Sequence, residues 1–222
     1  MDEEVLKKAI SNNALWCDLI CSTHNAIGQF LPDIWINKTE VPPLYPNAIT
    51  LSDTATDQEI ASIPLEHFSV KDSFNSLNLE YNGFSTLFDA SWIFYKETDN
   101  KTVNVSQWKK VQDDEKLAAW ENAWGEGQKE RTFLPSLLIE AEVSIYAKWE
   151  KEVIVGGFIA NKSDKVVGIS NVFCKIHENI WPEIVGLLGT EHPIVGYERD
   201  HELTQAKAAG FYEIGKLKVW KK

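Results

Sequence analysis

Cysteine is scarce in this chain: Cys17, Cys21 and Cys174 are the only three in 222 residues. The odd number and the lack of framework spacing exclude a disulfide-stapled secreted domain and fit a reducing cytoplasm. No apolar run approaches the roughly 18 residues that a membrane helix needs. The N-terminus, MDEEVLKKAI, lacks the basic, apolar and small-residue order of a signal peptide. Basic residues are in deficit, 22 Lys and Arg against 33 Asp and Glu, for a net charge of −11. That balance argues against nucleic acid as a partner, because polyphosphate affinity rests on clustered Lys and Arg, and against an anionic membrane surface. No repeat of solenoid period appears.

What is present is ordinary globular material, 44% hydrophobic and 25% charged, long enough to bury a substantial core. Nine tryptophans are many for this length. They imply large buried aromatic surfaces or a ring-lined pocket, and a core role is the plainer of the two. The charge is uneven: residues 1–84 carry −8 and residues 85–222 carry −3. An acidic N-terminal face could attract a cationic ligand such as an amine, or simply keep the surface solvated.

Periodicity divides the chain into elements. Residues 3–24 predict a helix, with Leu6, Ile10, Cys17, Cys21 and His24 near one face and Ser11-Asn12-Asn13 as its weak point. Pro32, Pro42, Pro43 and Pro46 predict an irregular stretch over 25–47. A short strand at 47–51, a short helix at 56–63 and a further helix at 70–79 follow. Residues 85–96 have strand composition. The spacing of Trp108, Val111, Leu117, Trp120 and Trp124 predicts a helix over 106–124, ended by Gly125 and Gly127. Strands are expected at 137–147, 153–160 and 165–173, with a turn at Asn161–Asp164. A helix at 179–188 has Pro182 in its first turn and Gly189 at its end. A strand at 193–198, a helix at 202–209 stopped by Gly210, and a strand at 213–220 complete the chain. From Ser85 the order is β, α, β, β, β, α, β, α, β, an α/β (α+β) arrangement with a mixed central sheet flanked by helices.

Three stretches carry a family likeness: VIVGGFIANKSDKVVGISNVF at 153–173, PIVGYE at 193–198, and LTQAKAAGFYEIGKLKVW at 203–220 with its Ala209-Gly210-Phe211 ending. In this order they resemble the GNAT superfamily of acyl-CoA-dependent N-acyltransferases, matching its third and fourth strands, its fifth strand, and its fourth helix with the strand after it. The likeness covers residues 85–222, which makes residues 1–84 an N-terminal extension packed on the sheet, with a degenerate half-domain as one reading of it. The resemblance implies a cleft where the fourth and fifth strands part and acetyl-CoA as co-substrate. Its pantetheine arm would lie along the backbone of Ser170, Asn171, Val172 and Phe173, with Lys175 as a side-chain donor beyond. A small-molecule amine would attack the thioester carbonyl, losing a proton to a base or through water. The carbonyl oxygen would need donors aimed at it as negative charge develops.

Two family features are missing. The glycine-rich turn that cradles the pyrophosphate is replaced by Cys174-Lys175-Ile176-His177-Glu178-Asn179-Ile180-Trp181-Pro182, which has no glycine, and Glu178 and the following Glu183 would repel a diphosphate. The position of the family's frequent general-acid tyrosine holds Ala206, with Tyr197 and Tyr212 out of register. Fold likeness alone does not carry activity.

Glu198, at the end of a buried strand, is the candidate base; an ion pair with Arg199 or a neighbouring lysine is its rival role. Ser170 and Asn171 could bond a ligand or merely cap local backbone. Arg199 could meet a phosphate or carboxylate, or stay at the surface. Cys17, Cys21 and His24 share a helical face but lack a fourth ligand, so no metal site is expected. Cys174 and His177 have no third orienting group for a nucleophile pair. Gly168-Ile169-Ser170-Asn171-Val172 lacks the second glycine of a nucleophile elbow. Lys216, Lys218, Lys221 and Lys222 read as a solvated edge. The expectation is a cytoplasmic N-acetyltransferase acting on a small amine. Its alternatives are a non-catalytic GNAT-fold binding protein, or an assembly protein in which an exposed tryptophan pairs two chains as a homodimer.

Overall fold

The computed structural model describes residues 2–96, 103–125, 130–189 and 191–222; Gly127, expected to help end a helix, lies outside them. The helices are α1 Asp2–Thr23, α2 Asp57–Ala61, α3 Asp114–Trp124, α4 Trp181–Leu188 and α5 Asp200–Ala208. The strands are β1 Gln29–Phe30, β2 Ile34–Ile36, β3 Ala48–Thr50, β4 Ser69–Asp72, β5 Ser85–Tyr95 and β6 Trp108–Lys110. They continue as β7 Val143–Glu150, β8 Val153–Ser163, β9 Val166–Cys174, β10 Ile194–Glu198 and β11 Tyr212–Lys221. The chain forms two compact units. One holds Met1–Ile93, Tyr197–Asp200 and Glu213–Lys222, the other Phe94–Gly196 and His201–Tyr212.

In the first unit the strands run in the order β1-β2-β3-β4-β11-β5. β3 and β4 are parallel, and β4 pairs antiparallel with β11 through Val70↔Trp220 and Lys71↔Val219. The apolar faces of β2, β3 and β4 meet Leu79, Phe84 and Trp220 in a buried cluster. The 70–79 segment is therefore not the expected helix. Its first residues are held in a strand by β11, and the Asp72 carboxylate then accepts the N–H groups of Ser76 at 3.1 Å and Leu77 at 2.9 Å, which turns the chain. The proline-rich stretch contains β1 and β2 rather than only irregular backbone. α1 runs unbroken through Ser11-Asn12-Asn13, because the Asn13 side-chain oxygen accepts a 2.6 Å hydrogen bond from the buried Lys71 ammonium instead of competing for its own helix.

In the second unit the order is β10-β9-β8-β7-β6, antiparallel except for the parallel β9–β10 pair. Trp108 lies in β6, paired with β7, and the helix starts only at Asp114. Asp113 supplies the reason: its carboxylate caps α3 by accepting the Lys116 N–H at 2.8 Å. Leu117 and Trp120 then face the sheet and are fully buried. β8 extends into the expected turn, as far as Ser163, and Asp164 and Lys165, both at positive φ, make a two-residue hairpin into β9. β7 starts at Val143, after a 3-10 turn at Pro135–Ile139, later than the apolar run suggested.

No tryptophan among the described residues is exposed; seven are buried, and Trp124 and Trp149 are half-buried. The homodimer reading thereby loses the exposed ring on which it rested. No helix is long and apolar enough to cross a membrane among the described residues.

Candidate functional site

β9 changes character halfway along. Val166–Ile169 are buried, whereas Ser170–Cys174 are half-buried. The β9–β10 ladder consists of Ile194↔Val167 and Val195↔Gly168, so β9 runs on for six residues past its last registered partner. On its other side the β8 register slips between Gly157 and Ile159, where Asn171 adopts a φ of +54°. An extra residue in one strand bends it and increases its twist, and asparagine tolerates the left-handed conformation that this requires. The Ser170 Oγ is buried and has no hydrogen-bond partner among the described residues, so it does not cap local backbone. A buried hydroxyl without a partner is uncommon in folded proteins, where such groups are paired with protein, water or ligand.

Phe173 does not present its ring outward. It packs edge-on against Trp120 at 5.4 Å between centroids, and the Trp120 indole N–H donates to the Tyr146 carbonyl at 2.9 Å. Gly157 makes room for both rings. A Cβ there would collide with the Trp120 indole nitrogen and stand 2.7 Å from Phe173 Cε1 and 2.9 Å from the Tyr146 oxygen, a backbone atom that cannot give way. Gly157→Ala is expected to cost about 1–3 kcal/mol. A urea midpoint equal to wild type would refute it.

After β9, the Lys175 N–H bonds to the Val155 carbonyl at 2.8 Å and its side chain is exposed. The chain enters α4 with its first-turn donors already occupied. The Trp181 N–H donates to the Asn179 side-chain oxygen at 3.0 Å, Pro182 has no N–H, and the Glu183 and Ile184 N–H groups both reach the Ile180 carbonyl at 3.0 Å. Asn179 is held in turn by donating to the Gln205 carbonyl at 3.1 Å.

Two carboxylates converge on Lys148, whose side chain is only 2% exposed: Glu178 Oε2 at 2.8 Å and Glu183 Oε1 at 3.1 Å. The Trp108 indole donates to the other Glu183 oxygen at 2.5 Å. Burial pulls the Lys148 pKa down, but the hydrogen bonds to Glu178 and Glu183 outweigh it, and the ammonium is held above its ordinary value. Sequence periodicity gave no hint of this residue. Val143, Ile145 and Ala147 alternate inward along β7, which puts Lys148 on the opposite face; it stays in register there, paired with Gly156, and is buried because Glu178 and, from the first turn of α4, Glu183 close over it.

Glu198 ends β10, half-buried, with its residue counted in the first unit. Arg199 faces Asp200 at 3.8 Å and lies over the Phe88 ring at 4.7 Å. Ala206 is fully buried. Tyr197 packs edge-on against Trp92 and beneath the Lys71 ammonium, and Tyr212 packs against Phe94. Cys17 and Cys21 are buried, and burial pushes the Cys21 thiol up to about 12. His177 is exposed at a φ of +57°, and Cys174 is half-buried.

A separate cleft of about 500 Å³ in the second unit is lined by Lys109, Lys110, Lys116 and Lys151 around Trp149. Lys116 is tied to Asp113, and Lys109 and Lys110 lie on β6, the end strand of that unit's sheet order. Lysines on an edge strand discourage pairing with other chains.

No family model matches the chain, and no curated protein does. Solved structures do. A GCN5-related N-acetyltransferase from Kribbella flavida is 10% identical with a TM-score of 0.64, over 98% of this chain and 95% of that one. A functionally unknown conserved protein from Staphylococcus epidermidis is 15% identical with a TM-score of 0.58, over 87% and 92%. A GCN5-related N-acetyltransferase from Sphaerobacter thermophilus is 12% identical with a TM-score of 0.50, over 75% and 63%. With its mixed strands and flanking helices, the chain has the fold of the GCN5-related N-acetyltransferases.

Proposed function

We propose that this chain is a GNAT-fold N-acyltransferase that moves an acetyl group from acetyl-CoA to a small amine. The observation that carries the reading is β9: it outlasts its ladder with β10, bulges at Asn171 and leaves the Ser170 hydroxyl buried without a partner. A half-buried strand edge of this kind suits the amide-bearing pantetheine arm, which can pair with backbone as an added strand does. The thioester supplies an activated acyl carbon. Ser170, Asn171, Val172 and Phe173 hold the arm, Lys175 stands beyond them as a donor, and Glu198 takes the proton that the amine loses on attack. Residues 85–222 carry the acyl-transfer site in this reading, and residues 1–84 are an extension to it. Three free cysteines and a net charge of −11 accord with a cytoplasmic setting and with a small-molecule partner rather than polyphosphate or membrane.

The test is an amide chemical-shift titration with acetyl-CoA. The amides of Ser170–Phe173 are expected to move in a saturable way, and a folded protein whose β9 amides stay still at about millimolar cofactor, the weak end of specific binding, is not this enzyme.

A second reading, a GNAT-fold protein that binds ligand without catalysis, draws on the occupied first turn of α4 and on buried Ala206 at the tyrosine position. Thioester binding with no thiol release across a panel of amines would select it.

A further inference from the structure

We infer that the site selects an acyl donor by its pantetheine thioester and makes no use of a nucleotide diphosphate, so that a donor lacking the nucleotide is bound as well as the complete cofactor. This rests on the acyltransferase reading above and specifies the donor class for the same site.

The strand edge and the helix end disagree about the cofactor. β9 from Ser170 to Phe173 fits a pantetheine arm, as argued above. The first turn of α4 does not fit a diphosphate. A helix N-terminus binds an anion through N–H groups that have no partner within the helix. Here Trp181 gives its N–H to Asn179, Pro182 has none, and Glu183 gives its own to Ile180. Asn179 cannot swing aside without losing its bond to the Gln205 carbonyl.

Charge points the same way. Lys148, Glu178 and Glu183 together carry one net negative charge, and two of the ammonium's three donors are already spent on the carboxylates. Glu183 also stands in the first turn of α4, where its carboxylate provides the negative charge that the helix end favours. A diphosphate arriving there would have to displace Asn179 and meet two carboxylates held by a single buried cation. The chain has filled the diphosphate's place with its own side chains.

Three ligands test this by calorimetric titration of the full chain: acetyl-CoA, S-acetylpantetheine, and adenosine 3′,5′-bisphosphate. The two thioesters are expected to bind with dissociation constants within about threefold of each other, and the bisphosphate should neither bind nor compete. An acetyl-CoA affinity about tenfold or more above that of S-acetylpantetheine, or displacement of acetyl-CoA by the bisphosphate, overturns the inference and leaves the acyltransferase reading standing. If neither thioester binds the folded protein, the acyltransferase reading itself fails and takes the inference with it.

Discussion

Replacing Lys148 with alanine is expected to lower the stability of the protein by about 3–5 kcal/mol, the range seen when one partner of a buried ion pair is removed. The lysine side chain is 2% exposed, and Glu183, to which it donates at 3.1 Å, is only 20% exposed. Without the ammonium, Glu183 keeps the Trp108 indole but stays largely out of water with no cation beside it. Glu178 is 56% exposed and can resolvate, so most of the loss comes through Glu183. Lys148→Met combined with Glu183→Gln should recover most of the stability, because it removes both charges and keeps volume. Urea unfolding at unchanged m reads the difference. A loss below about 1 kcal/mol would place the trio among solvent-screened surface pairs and refute the expectation.

The pH dependence of that difference has a definite sign. The Lys148 pKa is raised in the fold, with burial opposing and the bonds to Glu178 and Glu183 prevailing. A raised lysine contributes stability that is fully present below its unfolded pKa and is lost as pH rises through the folded value. The gap between wild type and Lys148→Ala should therefore hold through neutral pH and close only beyond the ordinary lysine range.

Under the proposed function, Glu198→Gln should reduce acetyl transfer about 100-fold or more, the usual contribution of a positioned general base. The substitution keeps the shape of the side chain and its capacity to accept a hydrogen bond while removing its basicity. Two residues before Glu198, a Cβ on Gly196 would lie 3.0 Å from the Ile169 carbonyl oxygen, so β10 sits tightly against β9 at Gly196. Release of the free thiol with whichever amine proves active measures the effect, and thermal unfolding of the variant checks that the fold is intact. The acidic limb of the kcat/KM profile should also vanish, a change that a merely structural role would not cause. A variant that keeps most of its rate and its acidic limb would assign the proton to water and leave Glu198 a structural residue.

How far the sequence could be read depends on where each element's cause lies. β8 and β9 were legible because long apolar runs such as residues 154–160 bury on both faces whatever surrounds them. Gly189 at a φ of +65° and Gly210 at +105° ended their helices as expected, since other residues rarely accept that backbone. β4 was misread as a helix because its strand is set by pairing with β11, far along the chain. Trp108 fell at helical spacing with Trp120, yet belongs to β6, because β7 offered a partner and Asp113 capped the helix late.

The same division runs through the candidate site. The strand was readable: Ser170, Asn171, Val172 and Phe173 lie on a segment whose apolar sequence announces β9, and the missing glycines after Cys174 are visible in the bare text. What fills the place of those glycines was not. Amino-acid order determined the runs, turns and helix stops, since those follow from the conformational limits of neighbouring residues. Tertiary structure alone decided that Glu178 and Glu183 close over Lys148 on its face of β7 and that Asn179 closes the start of α4, because which segment covers a strand face depends on contacts between residues that no local period connects.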